Sequence, residues 1–196
     1  AREGCKIAFC DISPPDDTLE KLKEFNVPVK AYKTDVSNFK EIQKLRDDIK
    51  RDFNSSVDIL VNNAGLIPYK TIFDQSYEEI ETLTRVNVNS VFMMTKCFLE
   101  DMKMRKNGGH IVSISSLQGK ELKINFLNLI LISSSGIYAF PHSLLYSSTK
   151  FAVTGFMLGL SEFLRRQKLT KIYTTMILPH VIGTRKDLLD SLNLKK

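Results

Sequence analysis

Val57-Asp58-Ile59-Leu60-Val61-Asn62-Asn63-Ala64-Gly65 is a short, nearly continuous apolar run that closes on two asparagines and two small residues. Apolar character at successive positions, rather than at alternate ones, predicts a strand over 57–61 buried on both faces, as in a parallel sheet. The Asn-Asn-small sequence after it suits a tight turn in which backbone lies against a ligand, although taken alone it is only a turn signal. Working outward, runs of the same kind stand at 6–10, 27–32, 110–115 and 171–178.

Between these runs the period changes to that of a helix. Helices are predicted over 17–25, 37–53, 76–106 (continuous, or broken near its middle) and 143–167. In the second, Phe39, Ile42, Leu45 and Ile49 share one face, and in the third Ser76 and Glu79 have the spacing of a capping box. The resulting order βαβαβαβαβ predicts an α/β domain with a doubly wound parallel sheet, Rossmann-like, whose ligands bind beyond the carboxyl ends of the strands.

The 196 residues suit one domain of ordinary composition, 43% apolar and 26% charged. The net charge of +6 is scattered in short clusters such as Lys103, Arg105 and Lys106 and has no aromatic-basic stripe, so nucleic acid is not an expected partner. Cys5, Cys10 and Cys97 are odd in number and fit neither a zinc spacing nor a redox pair, so no metal site is expected and a reducing, intracellular compartment fits best. The longest apolar stretch, 124–132, is nine residues with two asparagines, short of the ~20 needed to span a bilayer. No Gly-x-Ser-x-Gly elbow accompanies His110, His142 or His180, which argues against a serine hydrolase.

The chemistry is expected just after the strands. Asp11 follows the first; an acidic side chain there can accept hydrogen bonds from a ribose and repels a 2′-phosphate, or it can be a helix cap or turn aspartate. Asp35-Val36 follows the second. Tyr146-Ser147-Ser148-Thr149-Lys150 opens the last helix, and residues four apart lie on one helical face. A lysine ammonium there stabilises the phenolate, and lowering a phenol from ~10 to working pH takes about 4 kcal/mol. The pair can serve as an acid/base, although the same motif also occurs as a half-buried tyrosine beside a surface lysine.

Asp11, Asp35-Val36, Asn62 to Gly65, Asn87, Ile114-Ser115-Ser116, Tyr146 to Lys150 and Pro179 to Thr184 occur in the order of motifs in the short-chain dehydrogenase/reductase family. The chain resembles that family over almost its whole length. Asp58-Ile-Leu-Val-Asn-Asn-Ala-Gly together with Tyr146-Ser-Ser-Thr-Lys-Phe-Ala-Val-Thr-Gly-Phe resembles the branch of 17β-hydroxysteroid dehydrogenases types 11 and 13 and epidermal retinol dehydrogenases.

The resemblance implies a dehydrogenase moving hydride between NAD, with NADP as the alternative, and an alcohol or carbonyl of an apolar small molecule such as a steroid, retinoid or other lipid. Tyr146 would be the acid/base, Lys150 would lower its pKa and hold the nicotinamide ribose, Ser116 would bind the reacting oxygen, and Asn87 would anchor a relay water. Asn63, Ala64 and Gly65 would pack along the cofactor, Asp35 and Val36 would face the adenine, and Pro179 and Thr184 would meet the nicotinamide amide or phosphate. The family's Pro-Gly is here Pro179-His180. A homodimer is implied, and so is an endoplasmic reticulum membrane or lipid-droplet surface reached through an N-terminal segment. The competing reading is a catalytically inactive member or truncated isoform that acts as a binding module.

Three departures from the family pattern stand out. Numbering begins at Ala1, and Ala1 to Ile7 reads as the end of a helix entering a strand. Residues 1–196 are therefore expected to be a single incomplete dinucleotide-binding and catalytic domain, lacking the N-terminal strand and glycine-rich turn. In the strand order 3-2-1-4-5-6 that strand is central, so the chain alone is expected to be insoluble or molten. The family's last strand is expected to be missing from these residues as well. Finally, Ser116 precedes Tyr146 by seventeen residues more than the family spacing, and Ser133 has the family spacing instead. Removing 120–136 restores it, so this segment is read as an insert: a retained intron, or a lid presenting Phe126, Leu127, Leu129, Ile130 and Leu131. Ser116 is preferred because a well-formed strand precedes it.

Overall fold

The computed structural model describes residues 1–13, 16–68, 70–116 and 144–179. Five strands alternate with helices: β1 (Ile7–Asp11), α1 (Asp16–Lys23), β2 (Val29–Lys33), α2 (Phe39–Phe53), β3 (Ile59–Asn62), α3 (Tyr77–Thr84), a π-helical turn (Arg85–Asn89), α4 (Ser90–Met104), β4 (Gly109–Ile114), α5 (Leu144–Arg166) and β5 (Ile172–Ile177). Every strand pairing is parallel. β1 pairs with β2 in one sheet, and the second sheet runs β3-β4-β5. The fold is the expected α/β one. Among the described residues no ladder joins β1 to β3, the place that the order 3-2-1-4-5-6 assigns to a further strand.

Local sequence accounts for the helix ends. Asn38 caps α2 by accepting from the Lys40 amide at 3.1 Å, and Asn54 ends it in the left-handed conformation at φ 48°. Ser76 and Glu79 form the reciprocal capping box of α3 with bonds of 3.2 and 3.1 Å. The long helix predicted over 76–106 is interrupted by the π turn at Arg85–Asn89, where each turn holds an extra residue and the inward face shifts by one position. Asn87 is buried within that turn, four residues after the buried Leu83 of α3.

Ile42, Leu45 and Ile49 of α2 pack into one core with Phe98 and Met102 of α4, Ile111 of β4 and Val153 and Met157 of α5. Phe39, expected on the same face, is exposed at the first position of α2, where the helix has only begun. A larger correction concerns the strands, expected to be buried on both faces. In β3, Leu60 and Asn62 are buried while Ile59 and Val61 are 54% and 52% exposed. In β5, Ile172 is buried and Tyr173 and Ile177 are exposed. The reason is the layering: α4 packs on β3 and β4 and α5 packs on β5, and the described residues place no helix on the opposite face. The two sheets are connected by side-chain packing of α2 on α4, not by backbone hydrogen bonds.

Candidate active site

Parallel pairing brings the carboxyl ends of all five strands to one edge, and the residues singled out in the sequence stand there: Asp11 ends β1, Asp35 follows β2, Asn62 ends β3, Ser116 follows β4 and Pro179 follows β5. Tyr146 and Lys150 occupy the first turns of α5, 3% and 6% exposed. The Lys150 ammonium lies 5.5 Å from the centre of the Tyr146 ring and donates to the Ile114 carbonyl at 2.9 Å. Among the described residues no carboxylate pairs with it. Burial without a counter-charge disfavours the ammonium and pulls its pKa down to about 8.

Asn87 closes the other side. Its Oδ1 accepts from the Leu66 amide at 2.8 Å, and its Nδ2 donates to the Leu66 carbonyl at 2.9 Å and to the Thr149 hydroxyl at 3.1 Å. The turn of Asn63, Ala64 and Gly65 is exposed and runs directly into Leu66. A Cβ on Gly65 would lie 3.5 Å from Asn87 Oδ1 and 3.9 Å from Lys150 Nζ, so the glycine leaves a cradle beside the lysine. These side chains and this turn are brought together. Ser116 is buried at the end of β4 next to Ser115, whose amide donates to the Ile177 carbonyl at 2.9 Å and whose hydroxyl is buried without a partner among the described residues. Ser133, Thr184, His180 and the insert 120–136 lie outside the described residues.

The β1-β2 side is different in character. Asp11 is exposed and accepts from the Ser13 amide at 2.9 Å, while Asp35, half-buried, accepts from the Ser37 amide at 2.8 Å. Both are the local turns that aspartate favours, which leaves their outer oxygens available to a ligand. The Asp35 amide itself donates to Glu41 Oε2 at 2.7 Å. Val36 packs against the core and Pro179 is half-buried.

Two features were not read from the sequence. Asn62, treated there as part of the turn, is buried, and its Nδ2 donates at 3.2 Å to both Thr95 and Ser113. It binds the end of β3 to α4 and β4 under the site. Thr149 is buried with two bonds, and only the tertiary meeting of α5 with the π turn reveals it. Among the described residues no three histidine, cysteine, aspartate or glutamate side chains group to hold a metal, and no helix is long and apolar enough to cross a membrane.

The profile of the family described as short chain dehydrogenase matches residues 1–128. Estradiol 17-beta-dehydrogenase 11 of Pongo abelii is 31% identical over 186 residues, covering 94% of this chain and 56% of the relative. Human 17-beta-hydroxysteroid dehydrogenase 13 is 32% identical over 169 residues, 86% of this chain and 50% of the relative. The chain thus spans about half the length of the curated relatives it matches. Among solved structures, a short chain dehydrogenase/reductase from Burkholderia phymatum in complex with NAD superposes with a TM-score of 0.75 at 22% identity, covering 90% of this chain and 57% of that one. An alcohol dehydrogenase from Thermococcus sibiricus complexed with 5-hydroxy-NADP gives 0.71 at 22%, covering 92% and 68%.

Proposed function

The chain belongs to the short chain dehydrogenase family, and from that premise we propose that it carries the acid/base half of an NAD(H)-dependent oxidation of an alcohol, or reduction of the matching carbonyl, on an apolar substrate such as a steroid, retinoid or other lipid. One observation carries the reading: a buried lysine with no carboxylate partner among the described residues sits one helical turn from a buried tyrosine, beside a turn kept open by Gly65. A buried ammonium without a counter-ion is costly, and a phenolate on the ring whose centre lies 5.5 Å away offsets that cost while gaining acidity.

The residues fit a nicotinamide dinucleotide, which supplies hydride acceptance or donation when bound. Asp11 would hold the adenosine ribose, with Asp35 and Val36 at the adenine, Asn63 to Gly65 along the dinucleotide, and Lys150 at the nicotinamide ribose. Pro179 stands at the strand end where the nicotinamide amide would lie. The acidic Asp11 favours NAD over NADP, because a 2′-phosphate there would meet like charge. Tyr146 takes the hydroxyl proton of an alcohol, or gives one to a carbonyl; Ser116 donates to the reacting oxygen. Asn87, next to Lys150 through Thr149, anchors the path by which the proton reaches water.

The proposal extends to a homodimer and to an endoplasmic reticulum membrane or lipid-droplet address, the latter resting on the resemblance to the steroid and retinol dehydrogenase branch. For the dimer, Phe151, Leu158 and Phe163 stand exposed along α5, and a Cβ on Gly155 or Gly159 would meet nothing within 4 Å. Glycine inside a helix costs about 1 kcal/mol against alanine, and two of them one turn apart admit the close approach of a second helix. Sedimentation equilibrium of the protein carrying this chain should give twice the protomer mass; a monomer at micromolar concentration removes this part of the proposal.

The test of the chemistry is Tyr146→Phe in the protein carrying this chain. Turnover of secondary or allylic alcohols with NAD should fall by about 10² or more, while NADH binding followed by fluorescence stays within a few-fold of the parent, because the change removes only an exchangeable proton. Retention of half the activity would end the assignment.

A further inference from the structure

Thr149 is 3% exposed, and its hydroxyl is bonded on both sides. It donates to the main-chain carbonyl of Tyr146 at 2.7 Å and accepts from Asn87 Nδ2 at 3.1 Å. A carbonyl can only accept, so the hydroxyl proton is committed to Tyr146 and a lone pair to the amide. The rest of that amide is equally committed, with Nδ2 on the Leu66 carbonyl and Oδ1 on the Leu66 amide. Turning the amide over would set oxygen against a carbonyl and NH₂ against N–H, so one orientation is selected.

The bonds form a continuous path. It starts at Leu66, the residue after the Asn63-Ala64-Gly65 turn, crosses the π turn at Asn87 and ends in the first turns of α5, between Tyr146 and Lys150. Two other hydroxyls on α5, those of Ser148 and Thr154, behave otherwise. Ser148 makes only the ordinary helical bond back to the Leu144 carbonyl, 3.0 Å away on the exposed side. Thr154, one turn beyond Lys150, is buried with its hydroxyl unpartnered among the described residues. A threonine on this helix is therefore not drawn into a bond between elements merely by being buried.

We propose that Thr149 is a positioning residue whose hydroxyl, through Asn87, fixes the spacing between the Asn63–Gly65 turn and the Tyr146–Lys150 pair. This rests on the reading of that pair as the acid/base. Without the hydroxyl, one Nδ2 hydrogen is left unpaired in a buried place, and the amide loses the contact that holds it against α5. Lys150 keeps its bond to the Ile114 carbonyl, but the first turns of α5 that carry it and Tyr146 lose their tie to the Asn63–Gly65 turn. An ammonium that moves away from the phenol stabilises the phenolate less, so the tyrosine titrates at higher pH.

The experiment compares Thr149→Val, close in shape, with Thr149→Ser in the protein carrying this chain. Loss of one hydrogen bond between elements predicts a fall of about tenfold in kcat for alcohol oxidation in Thr149→Val. KM should move little, and the kcat profile should shift toward alkaline pH. Thr149→Ser should restore all three. A second readout needs no turnover: amide hydrogen exchange at Leu66 should speed up by about tenfold in Thr149→Val and remain at the parent rate in Thr149→Ser. Should the valine variant not fold, Thr149→Ala is compared with Thr149→Ser in the same way. Parent-like pH profile and Leu66 exchange in Thr149→Val overturn the proposal, and so does a serine variant as impaired as the valine, which would place the effect in packing. If the parent itself shows no turnover, the acid/base reading fails, and Leu66 exchange still decides the tie: faster exchange in the valine variant supports it, unchanged exchange overturns it.

Discussion

The edge formed by β1 and β2 and the edge formed by β3, β4 and β5 both present polar residues at strand ends, but they hold them in opposite ways. Asp11 is exposed and Asp35 half-buried, and each makes one local turn bond. At the other edge Asn62, Asn87, Ser116, Tyr146, Thr149 and Lys150 are all buried, and Asn62, Asn87, Thr149 and Lys150 make bonds that cross from one element to another. A charge left in water needs no partner, so a change at the first edge is felt mainly by a ligand. A polar group taken out of water must be bonded or it costs on the order of 1 to 3 kcal/mol, so at the second edge binding chemistry and stability are coupled.

Lysine 150 gives the larger test of that contrast. Its folded pKa, about 8, lies below the unfolded value near 10.4, so between these limits the folded state binds fewer protons and stability rises with pH. Below about pH 8 the ammonium is charged in both states and the burial cost is constant. In the unliganded protein carrying this chain, Lys150→Met should flatten the rise from pH 8 to 10 by up to roughly 3 kcal/mol, as read by denaturant melts across that range. Parallel curves for parent and variant would mean that the lysine is solvated and that the two edges do not differ as described.

How much of this could be read from the residues follows the same division. Features set by local sequence were legible: the capping box at Ser76 and Glu79, the stripe of Ile42, Leu45 and Ile49, the turn reading of Asp11, and the strand ends where the candidate site lies. Features set by which element lies against which were not. The π turn at Arg85–Asn89 inserts a residue that no periodicity announces. Ile59 and Val61 are as apolar as Leu60, and only the placement of α4 on one face decides that they stay exposed. Thr149 lay inside a motif read for its tyrosine and lysine, and its own role needed Asn87 beside it.

The smallest expected effect is at Asp11, and its value is that charge and turn can be separated there. Asp11→Asn keeps an oxygen for the Ser13 amide, whose bond to Oδ1 is 2.9 Å, and removes only the charge. Stability should change by less than about 0.5 kcal/mol, as at other exposed positions. Preference for NAD over NADP should still narrow, because the like charge facing a 2′-phosphate has gone; one unit charge at ~4 Å in water is worth about 1 kcal/mol, or roughly fivefold in the ratio of the two affinities. Asp11→Ala should give the same change in preference with a further small loss of stability from the turn bond. Titration of each variant with NADH and NADPH, beside a thermal melt, reads both quantities. An unchanged affinity ratio in Asp11→Asn would show that Asp11 is a turn residue alone, and that the exposed edge does not select the cofactor.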